Sequence, residues 1–548
     1  MEIKVGDEIK MYGREEFAPL TVLRWPETDN KGEPVVDKGG MYRLYAVKTE
    51  YKPVEFSMTC AVKVYDRRDR LGPSRFLAEK TRRTFAPALL AGMVGRVLPM
   101  LAVVRVGWGG GGVATTERRS AASGSAVAPG PGGESGNDKA AEVAAILMPM
   151  GACSMKDVIE YWAGKKTPGD PPEGYGAGPN TPKRVCEMVR GMSDEERVLF
   201  VTRVLYGVGT GLKNLKERLE ERAKEHAEEL GIKKDDVRCV IGDVKPANMV
   251  VFVEDPNGVK DLLVMASDYD RASISRESPP ACTEGYASEA MVEAMVEKNP
   301  RGIGEKDDIY ALCMSGVDML GAALGRAPRD VGGSFGARAL VEYRLETAFI
   351  ELEELKAAFG GRFASLAELL GKGLDKELPG WDKFLGELGK VADLLGVDIA
   401  GDRKWGKMPP LYESLREIAR SGKDVSARVT EEFVKRMLPR ETPMGGWEVV
   451  LGQRGLSMAR ELKLYRLGIE EMRLSAEISE AKGDMHWAAE TYRLLCAMQV
   501  EQAKRERSRR EELLSRAIED CDRAIELKPE YAEAYNNRGV AWRHKGDY

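Results

Sequence analysis

Alternating and helical patterns of apolar residues predict strands in the first part of the chain and long helices in the rest. Alternation in Ala61-Val62-Lys63-Val64-Tyr65 predicts a strand with one apolar face. The apolar run from Ile146 to Gly151 predicts a second, buried strand. From Glu195 to Leu230 the sequence predicts one long helix, and its second half carries opposite charges at helical spacing. A solvent-exposed extension of that helix is the simplest interpretation.

The most apolar stretch, residues 87 to 106, is not predicted to cross a membrane. Arg96 and Arg105 interrupt it, and Pro99 would break a spanning helix. The chain opens in polar alternation without a secretory signal. At 548 residues it exceeds what one core usually organises, and 31% charged residues with a net charge of −5 give no case for nucleic acid. We therefore expect a multi-domain cytoplasmic protein without a nucleic-acid or membrane partner.

Cysteine and histidine usage excludes two further classes of site. The 8 cysteines are scattered and include no C-x-x-C pair, which is typical of a reducing cytoplasm and not of a disulfide scaffold or zinc site. The 3 histidines lie far from every motif that carries candidate chemistry. Hydrolysis or metal chemistry that depends on histidine is therefore not expected.

Two short strings carry the candidate chemistry. Residues 241 to 248 read I-G-D-V-K-P-A-N, and after a short apolar run Asp268 begins the string D-Y-D. Asp243 is suited to orient or deprotonate a hydroxyl, and Lys245 to neutralise a transferring phosphoryl group. Asn248 and Asp268 are suited to hold Mg²⁺. Asp and Asn are common in turns, but their order and separation here favour phosphoryl transfer.

These strings resemble the catalytic and metal-binding loops of the protein kinase superfamily. Upstream, Cys60 to Val64 resembles the V-A-I-K strand, so Lys63 would grip the α- and β-phosphates of ATP. Arg75 to Glu79 resembles the start of helix αC, so Glu79 would pair with Lys63. Taken singly, Lys63 is more simply explained as a solvent-facing residue of a strand. Glu79 is explained equally well as a solvated residue of a charged helix.

The resemblance also supplies a nucleotide pocket and a brace for the catalytic loop. The best match to the Gly-rich loop contains Gly39 and Gly40, and the run from Ile146 to Gly151 resembles the hinge strand, with Met148 and Met150 beside adenine. Thr283 to Glu289 resembles the end of an activation segment. Asp308 begins a helix that would brace the catalytic loop. ATP and Mg²⁺ are the implied cofactors and a protein is the implied substrate, in a two-lobed α+β fold.

Several residues depart from the family pattern. Ile241 and Gly242 replace the His and Arg that precede the catalytic Asp, which implies a kinase of the non-RD type. Lys245, two residues after that Asp, resembles the serine/threonine class. The Gly-rich loop is degraded, and Asp270 replaces the last Gly of the metal-binding loop. No clear Arg follows to pair with Glu289. A pseudokinase scaffold and a small-molecule phosphotransferase, whose loop reads G-D-x-x-x-x-N, remain alternatives.

The end of the chain carries a different signal. Residues 517 to 542 resemble a tetratricopeptide repeat, with small residues where helices approach and Tyr535 and Trp542 filling the space between helices. A weaker copy begins at Gly483. The resemblance implies an all-α repeat segment that docks a protein or peptide partner. Because the chain stops inside a repeat, its end is expected to fray.

The predicted order of units follows from these matches. Two Gly- and Pro-rich insertions, at 107 to 139 and 164 to 182, interrupt the kinase-like part. The predicted units are an N-terminal extension (1–19), an N-lobe (20–152), a C-lobe (153–400), a helical linker (401–465) and helical repeats (466–548).

Overall fold

The computed structural model describes most of the chain, in several separated ranges. Only the backbone is described for the early strands and for a few helix-end positions. The described residues are 8–12, 20–22, 43–51, 56–64, 90, 94–108, 143–149, 151–168, 180–253, 262–269, 272–276, 282–297, 302–326, 337–359, 361–405, 411–436 and 446–546. Most of each predicted insertion lies outside them.

Six strands near the N-terminus form a closed antiparallel barrel in the order β1-β2-β3-β4-β6-β5. Closure leaves no unpaired edge in this sheet. The strands are β1 (Glu8–Tyr12), β2 (Leu20–Val22), β3 (Arg43–Tyr51), β4 (Phe56–Val64), β5 (Ala102–Trp108) and β6 (Val143–Pro149). Residues 61 to 64 of the predicted strand therefore form part of β4, and Ile146 to Pro149 of the second predicted strand lie in β6.

Two small sheets follow the barrel and lead into the helical part. One joins β7 (Cys153–Ser154), β9 (Met249–Val253) and β10 (Leu262–Ala266), and the other joins β8 (Val237–Val240) and β11 (Ser273–Ser275). Residues 94–101, here called the connecting segment, precede β5 and form a parallel bridge from Val97 to Ala266. The described fold is therefore mostly helical with a few small sheets.

Ten described α-helices lie between residues 155 and 405, and one of them is almost entirely buried. In order they are α1 (Met155–Trp162), α2 (Pro182–Arg190), α3 (Asp194–Glu225), α4 (Ala227–Leu230), α5 (Glu289–Val296), α6 (Glu305–Ala323), α7 (Ala337–Phe359), α8 (Gly361–Leu374), α9 (Trp381–Leu395) and α10 (Ala400–Trp405). All α6 residues from Asp307 onward are buried, because its apolar side chains surround the helix. The helix predicted from Glu195 to Leu230 is divided at His226, between α3 and α4.

Seven further helices complete the described chain. They are α11 (Leu411–Ser421), α12 (Val425–Arg436), α13 (Trp447–Arg460), α14 (Tyr465–Lys482), α15 (Met485–Ala503), α16 (Arg510–Leu527) and α17 (Ala532–Lys545). The segment predicted as a linker, 401 to 465, does more than connect two units. Met458, Leu462 and Leu464 belong to the same core as α3 and α6, and α13 packs against β5.

Small residues let the C-terminal helices approach closely. A Cβ on Gly455 would lie 2.6 Å from the carbonyl oxygen of Gly468, so α13 and α14 are in backbone contact. Ala517 and Ala524 are fully buried on α16, as the repeat pattern predicts. The prediction for Tyr535 and Trp542 is wrong, because they are 45% and 37% exposed.

Helix α17 shows why those two aromatic residues are exposed. It turns Ala534 and Ala541 inward, which places Tyr535 and Trp542 on the adjacent face of the helix. The predicted fraying does not extend into this helix, which is continuous to Lys545. Arg510 also donates to the carbonyl oxygen of His544 at 2.8 Å.

A disulfide joins Cys496 of α15 to Cys521 of α16, and both residues are fully buried. The sequence did not predict it, because the pair has no C-x-x-C spacing and only the packing of the two helices brings it together. Reduction is expected to lower the free energy of unfolding by about 3 kcal/mol, the typical effect of closing a loop of this length.

Thermal unfolding with and without a reductant tests this expectation, and a Cys496→Ser and Cys521→Ser double variant is the control. The variant should unfold at the lower temperature under both conditions. Equal unfolding temperatures for the oxidised and reduced wild type would contradict the expectation.

Among the described residues, no helix combines the length and the hydrophobicity that a membrane-spanning segment needs.

Candidate active site

The loop that carries Asp243 is held from below by the buried helix α6. Asp308, which is fully buried, accepts hydrogen bonds from the backbone N–H groups of Ile241 at 3.1 Å and Gly242 at 2.8 Å. Gly242 has a φ of 87°, a left-handed conformation that suits glycine. The predicted brace is therefore present. Glycine at 242 lets the chain turn so that both amides reach one carboxylate.

The carboxylate of Asp243 is the centre of a compact polar cluster. Its Oδ1 accepts a hydrogen bond from the Thr283 hydroxyl at 2.6 Å, and its Oδ2 lies 3.0 Å from Nζ of Lys245. The Lys245 ammonium also donates to the Thr283 hydroxyl at 2.7 Å. Asn248 donates through Nδ2 to the Asp243 carbonyl at 2.8 Å and to Oδ2 at 3.0 Å. The structure thus brings three predicted site residues together.

Asn248 also connects this cluster to the loop of Asp268. The backbone N–H and the hydroxyl of Ser267 donate to the Asn248 carbonyl at 2.8 and 3.0 Å. Asp268 follows directly, with a φ of 61°. A non-glycine residue in this left-handed region costs free energy, and such residues cluster at functional sites. The two predicted metal ligands therefore lie on loops that are bonded to each other.

The donor set around these loops fits Mg²⁺. Because both contacts of Asn248 to Asp243 use its amide nitrogen, Oδ1 is directed away from Asp243. One amide oxygen and the Asp268 carboxylate, completed by water and phosphate oxygens, form a set that Mg²⁺ commonly takes in proteins. Among the described residues, no group of three or more His, Cys, Asp or Glu side chains could hold a metal ion. Asn248 and Asp268 are the residues that would hold it.

The remaining predicted site residues are placed only in part. Lys63 lies in β4, where it is in register with Leu44 of β3 on one side and with Ile146 of β6 on the other. Met148 of β6 is buried at 7% exposure. The other predicted nucleotide-binding residues lie outside the described residues; they are Gly39, Gly40, Glu79 and Met150.

An ion pair holds the segment that carries Thr283. Arg344 of α7 donates through Nη2 to both oxygens of Asp318 on α6, at 2.8 and 2.9 Å, and both side chains are buried. Asp318 also accepts from the Tyr286 hydroxyl at 2.7 Å. Burial, followed by the charge of Asp318, raises the pKa of Tyr286 well above its usual value. The arginine that follows the segment thus pairs with Asp318 on α6, while Glu289 is exposed.

Thr283, Asp318 and Arg344 are site residues whose roles were not predicted from the sequence. Thr283 was singled out only as the first residue of a string that resembles the end of an activation segment. Its contact with Asp243 spans 40 residues of sequence. The only sequence signal for it is its place at the start of the string T-E-G-Y.

Loss of the Thr283 hydroxyl is expected to impair the phosphoryl transfer that the sequence predicts. Thr283→Val removes the hydrogen bonds to Asp243 and Lys245, and each bond to a charged partner is worth about 1.5 to 3 kcal/mol. If the site transfers phosphoryl groups, the two bonds would position Asp243 and Lys245, and the turnover number should fall about tenfold to a hundredfold without them. Thr283→Ser keeps the hydroxyl and is the matched control. Equal turnover by the Val variant and the wild type would contradict this role.

Asp308 makes stability depend on pH. Burial raises its pKa from 3.8 to about 7, although the amides of Gly242 and Ile241 oppose the shift. The folded chain keeps this proton at pH values where the unfolded chain, with a carboxyl pKa of about 4, has lost it. The contribution of Asp308 to the free energy of unfolding therefore falls as pH rises from about 4 to about 7.

Urea unfolding of the wild type and of Asp308→Asn across this pH range measures the effect. The wild type should lose stability relative to the variant as pH rises. A difference between the two proteins that does not change with pH would contradict the raised pKa.

Comparisons with known proteins give no family. No family model matches the chain, and no curated protein matches it. Among matching solved structures is the "ROP18 kinase domain in complex with AMP-PNP and sucrose", with a TM-score of 0.37 and 11% sequence identity. The match covers 73% of this chain and 87% of that one. A similarity of this size assigns neither a family nor an activity, so a function can be inferred only from the residues of the site.

Proposed function

We propose that the chain is an ATP- and Mg²⁺-dependent serine/threonine protein kinase, in which Asp243 acts on the acceptor hydroxyl. One observation carries the proposal: the Asp243 carboxylate is bonded to a hydroxyl, an ammonium and an amide that also belongs to a candidate metal ligand. An Asp that served only to cap a turn would not be expected to contact all three groups. Phosphoryl transfer uses a carboxylate that orients the acceptor hydroxyl, together with a nearby cation and metal ligands that stabilise the charge on the phosphoryl group.

The Thr283 contact supports the role of Asp243 toward hydroxyls. The Thr283 hydroxyl lies 2.6 Å from Oδ1, which is within the distance that a general base requires for the proton it takes. An acceptor hydroxyl placed beside the same carboxylate would lie within the same range of distance. Lys245, 3.0 Å from Oδ2, would stabilise negative charge on the group in transfer. Bound Mg²⁺ would supply charge neutralisation at the β- and γ-phosphates.

The fixed backbone supports an orienting role for these groups. Asp308 holds two consecutive amides just before Asp243, and the buried side chain of Val244, just after it, belongs to the same apolar core as α6. A loop held on both sides of Asp243 cannot turn its carboxylate away from the cluster at low cost. Phosphoryl transfer would then depend on how the loop positions Asp243, and positioning is a main contribution of a protein to this reaction.

A pseudokinase scaffold is the second candidate, and the same cluster gives a reason for it. Both oxygens of Asp243 are engaged by side chains of this chain. A substrate hydroxyl would have to displace or join these contacts. If the cluster does not open, the chain would bind nucleotide or a protein partner without turnover.

A further part of the proposal concerns the C-terminal helices, which would dock a protein or peptide partner. The support is their arrangement as packed helix pairs, α13 with α14 and α15 with α16. Pull-down of defined peptides by the wild type and by variants of the exposed Tyr535 would test it.

Transfer of labelled phosphate from Mg·ATP by the full chain tests the main proposal. The label is followed on the protein itself and on a generic basic protein, with a chelator added in a parallel reaction. Transfer that the chelator abolishes supports a kinase. No transfer, together with a thermal shift caused by Mg·ATP, would establish the scaffold instead.

A further inference from the structure

The connecting segment holds the loop of Asp268 from both sides. The N–H of Leu98 donates to the Ala266 carbonyl at 2.7 Å, and the N–H of Ala266 donates to the Arg96 carbonyl at 2.9 Å. After Asp268, the hydroxyl of the buried Tyr269 donates to the Leu98 carbonyl at 2.9 Å. Because Ala266 ends β10 and Tyr269 follows Asp268, the position of Asp268 depends on the connecting segment.

Two helices that come much later in the chain hold the connecting segment in turn. Arg454 of α13 donates through Nη1 to the Met100 carbonyl at 2.8 Å. The Arg96 guanidinium donates through Nε to Asp402 of α10 at 2.5 Å. Arg96 and Met100 lie two residues before and two after Leu98. The bonds from Leu98 to the Asp268 loop are therefore flanked by contacts with later helices.

Arg454 is itself fixed in place. Its side chain is fully buried, and its Nε donates to both oxygens of Glu471 on α14, at 3.1 and 2.9 Å. The Tyr412 hydroxyl of α11 donates to the same carboxylate. Burial opposes the charge of Arg454, but Glu471 outweighs it and keeps the pKa above the usual arginine value. Arg454 thus donates to Met100 as a permanent cation.

Stability alone does not explain this buried pair. Replacing a buried ion pair by apolar residues of similar volume is often neutral or stabilising, because both charges lose their hydration when they are buried. What an apolar pair could not do is donate to the carbonyl of Met100. The pair therefore specifies how α13 and α14 sit against the connecting segment.

We propose that Arg454 and Glu471 are positioning residues, which act through the connecting segment to fix the loop of Asp268. This rests on the proposed function, in which Asp268 holds Mg²⁺. The consequence is that α13 and α14 belong to the unit that performs transfer. They are then more than a docking module attached to it.

The test needs a variant that folds. Arg454→Ala alone would leave Glu471 charged and buried, so we choose Arg454→Met with Glu471→Leu and Tyr412→Phe, which keeps volume and removes the donor to Met100. The control is Arg473→Met with Asp520→Leu and Gln499→Leu, since Gln499 also donates to Asp520. The pair of Arg473 and Asp520 has bonds of 3.0 and 2.8 Å but joins α14 to α16.

The first readout, hydrogen exchange of the full chain without nucleotide, does not depend on activity. The Ala266 and Leu98 amides report the bonds between the connecting segment and the Asp268 loop. They should exchange about fivefold faster in the triple variant, as expected for the loss of one buried hydrogen bond, and at the wild-type rate in the control. Equal exchange in the triple variant and the control would overturn the proposal.

The second readout is the Mg²⁺ concentration that gives half-maximal transfer. It should rise about fivefold in the triple variant, with the rate restored at saturating Mg²⁺, since the ligand is misplaced but present. A rate that is lowered equally at every Mg²⁺ concentration would mean structural damage and would overturn the positioning role. If the wild type transfers no phosphate, the proposed function fails, while exchange still decides whether Arg454 positions the loop.

Discussion

Replacing Asp243 by asparagine is expected to lower the rate of phosphoryl transfer by about a thousandfold. The amide keeps the size of the carboxylate but cannot take a proton, and general-base catalysis contributes about 10² to 10⁴ in rate. The variant also loses the charge that faces Lys245 at 3.0 Å. Transfer of labelled phosphate under saturating Mg·ATP measures the effect.

Asp235→Asn is the matched control, because it makes the same chemical change at an exposed position just before β8. It should transfer phosphate at the wild-type rate. Thermal unfolding of both variants shows whether they are folded. If folded Asp243→Asn keeps more than about a tenth of the wild-type rate, Asp243 is not the general base.

Asp308→Ala is expected to have the largest effect on stability. It leaves the buried amides of Ile241 and Gly242 without their acceptor, and each such loss costs about 1 to 3 kcal/mol. The free energy of unfolding should therefore fall by about 3 to 5 kcal/mol, a large share of the stability of an ordinary domain. Urea unfolding at neutral pH measures it.

The same variant should impair transfer even where it is still folded. Asp243 follows the two amides directly, so a loop released from Asp308 no longer holds the carboxylate in place. Asp375→Ala, an exposed change just after α8, is the control and should alter neither property. Stability close to wild type in Asp308→Ala would show that water or another group satisfies the two amides.

The sequence predicted the parts of the site whose contacts are short-range. Asn248 and Asp243 are five positions apart, and their hydrogen bonds follow from a tight turn through Pro246. The brace by Asp308 was predicted only through the family resemblance, since the contact spans 66 positions. Local pattern alone does not connect residues at that separation.

Contacts between distant helices could not be predicted from one sequence. Arg344 is one of many charged residues in α7, and nothing in its neighbours indicates that it reaches Asp318 on α6. Likewise Cys496 and Cys521 gave no spacing signal, because their pairing depends on how α15 and α16 pack. The segment from 401 to 465 showed no motif, although it contains Arg454, whose contact with Met100 spans 354 positions.

During synthesis of the protein, the bond from Arg454 to Met100 can form only after a delay, because its donor is made long after its acceptor. The two residues are 354 positions apart. At about 5 to 20 residues per second, the ribosome needs roughly 20 to 70 s to pass from one to the other. Every other part of the candidate site is made before the end of that interval, and so before the donor to Met100. A nascent chain would therefore carry Asp243, Asn248 and Asp268 without the contact that α13 supplies, and it would acquire that contact only after α13 has been made.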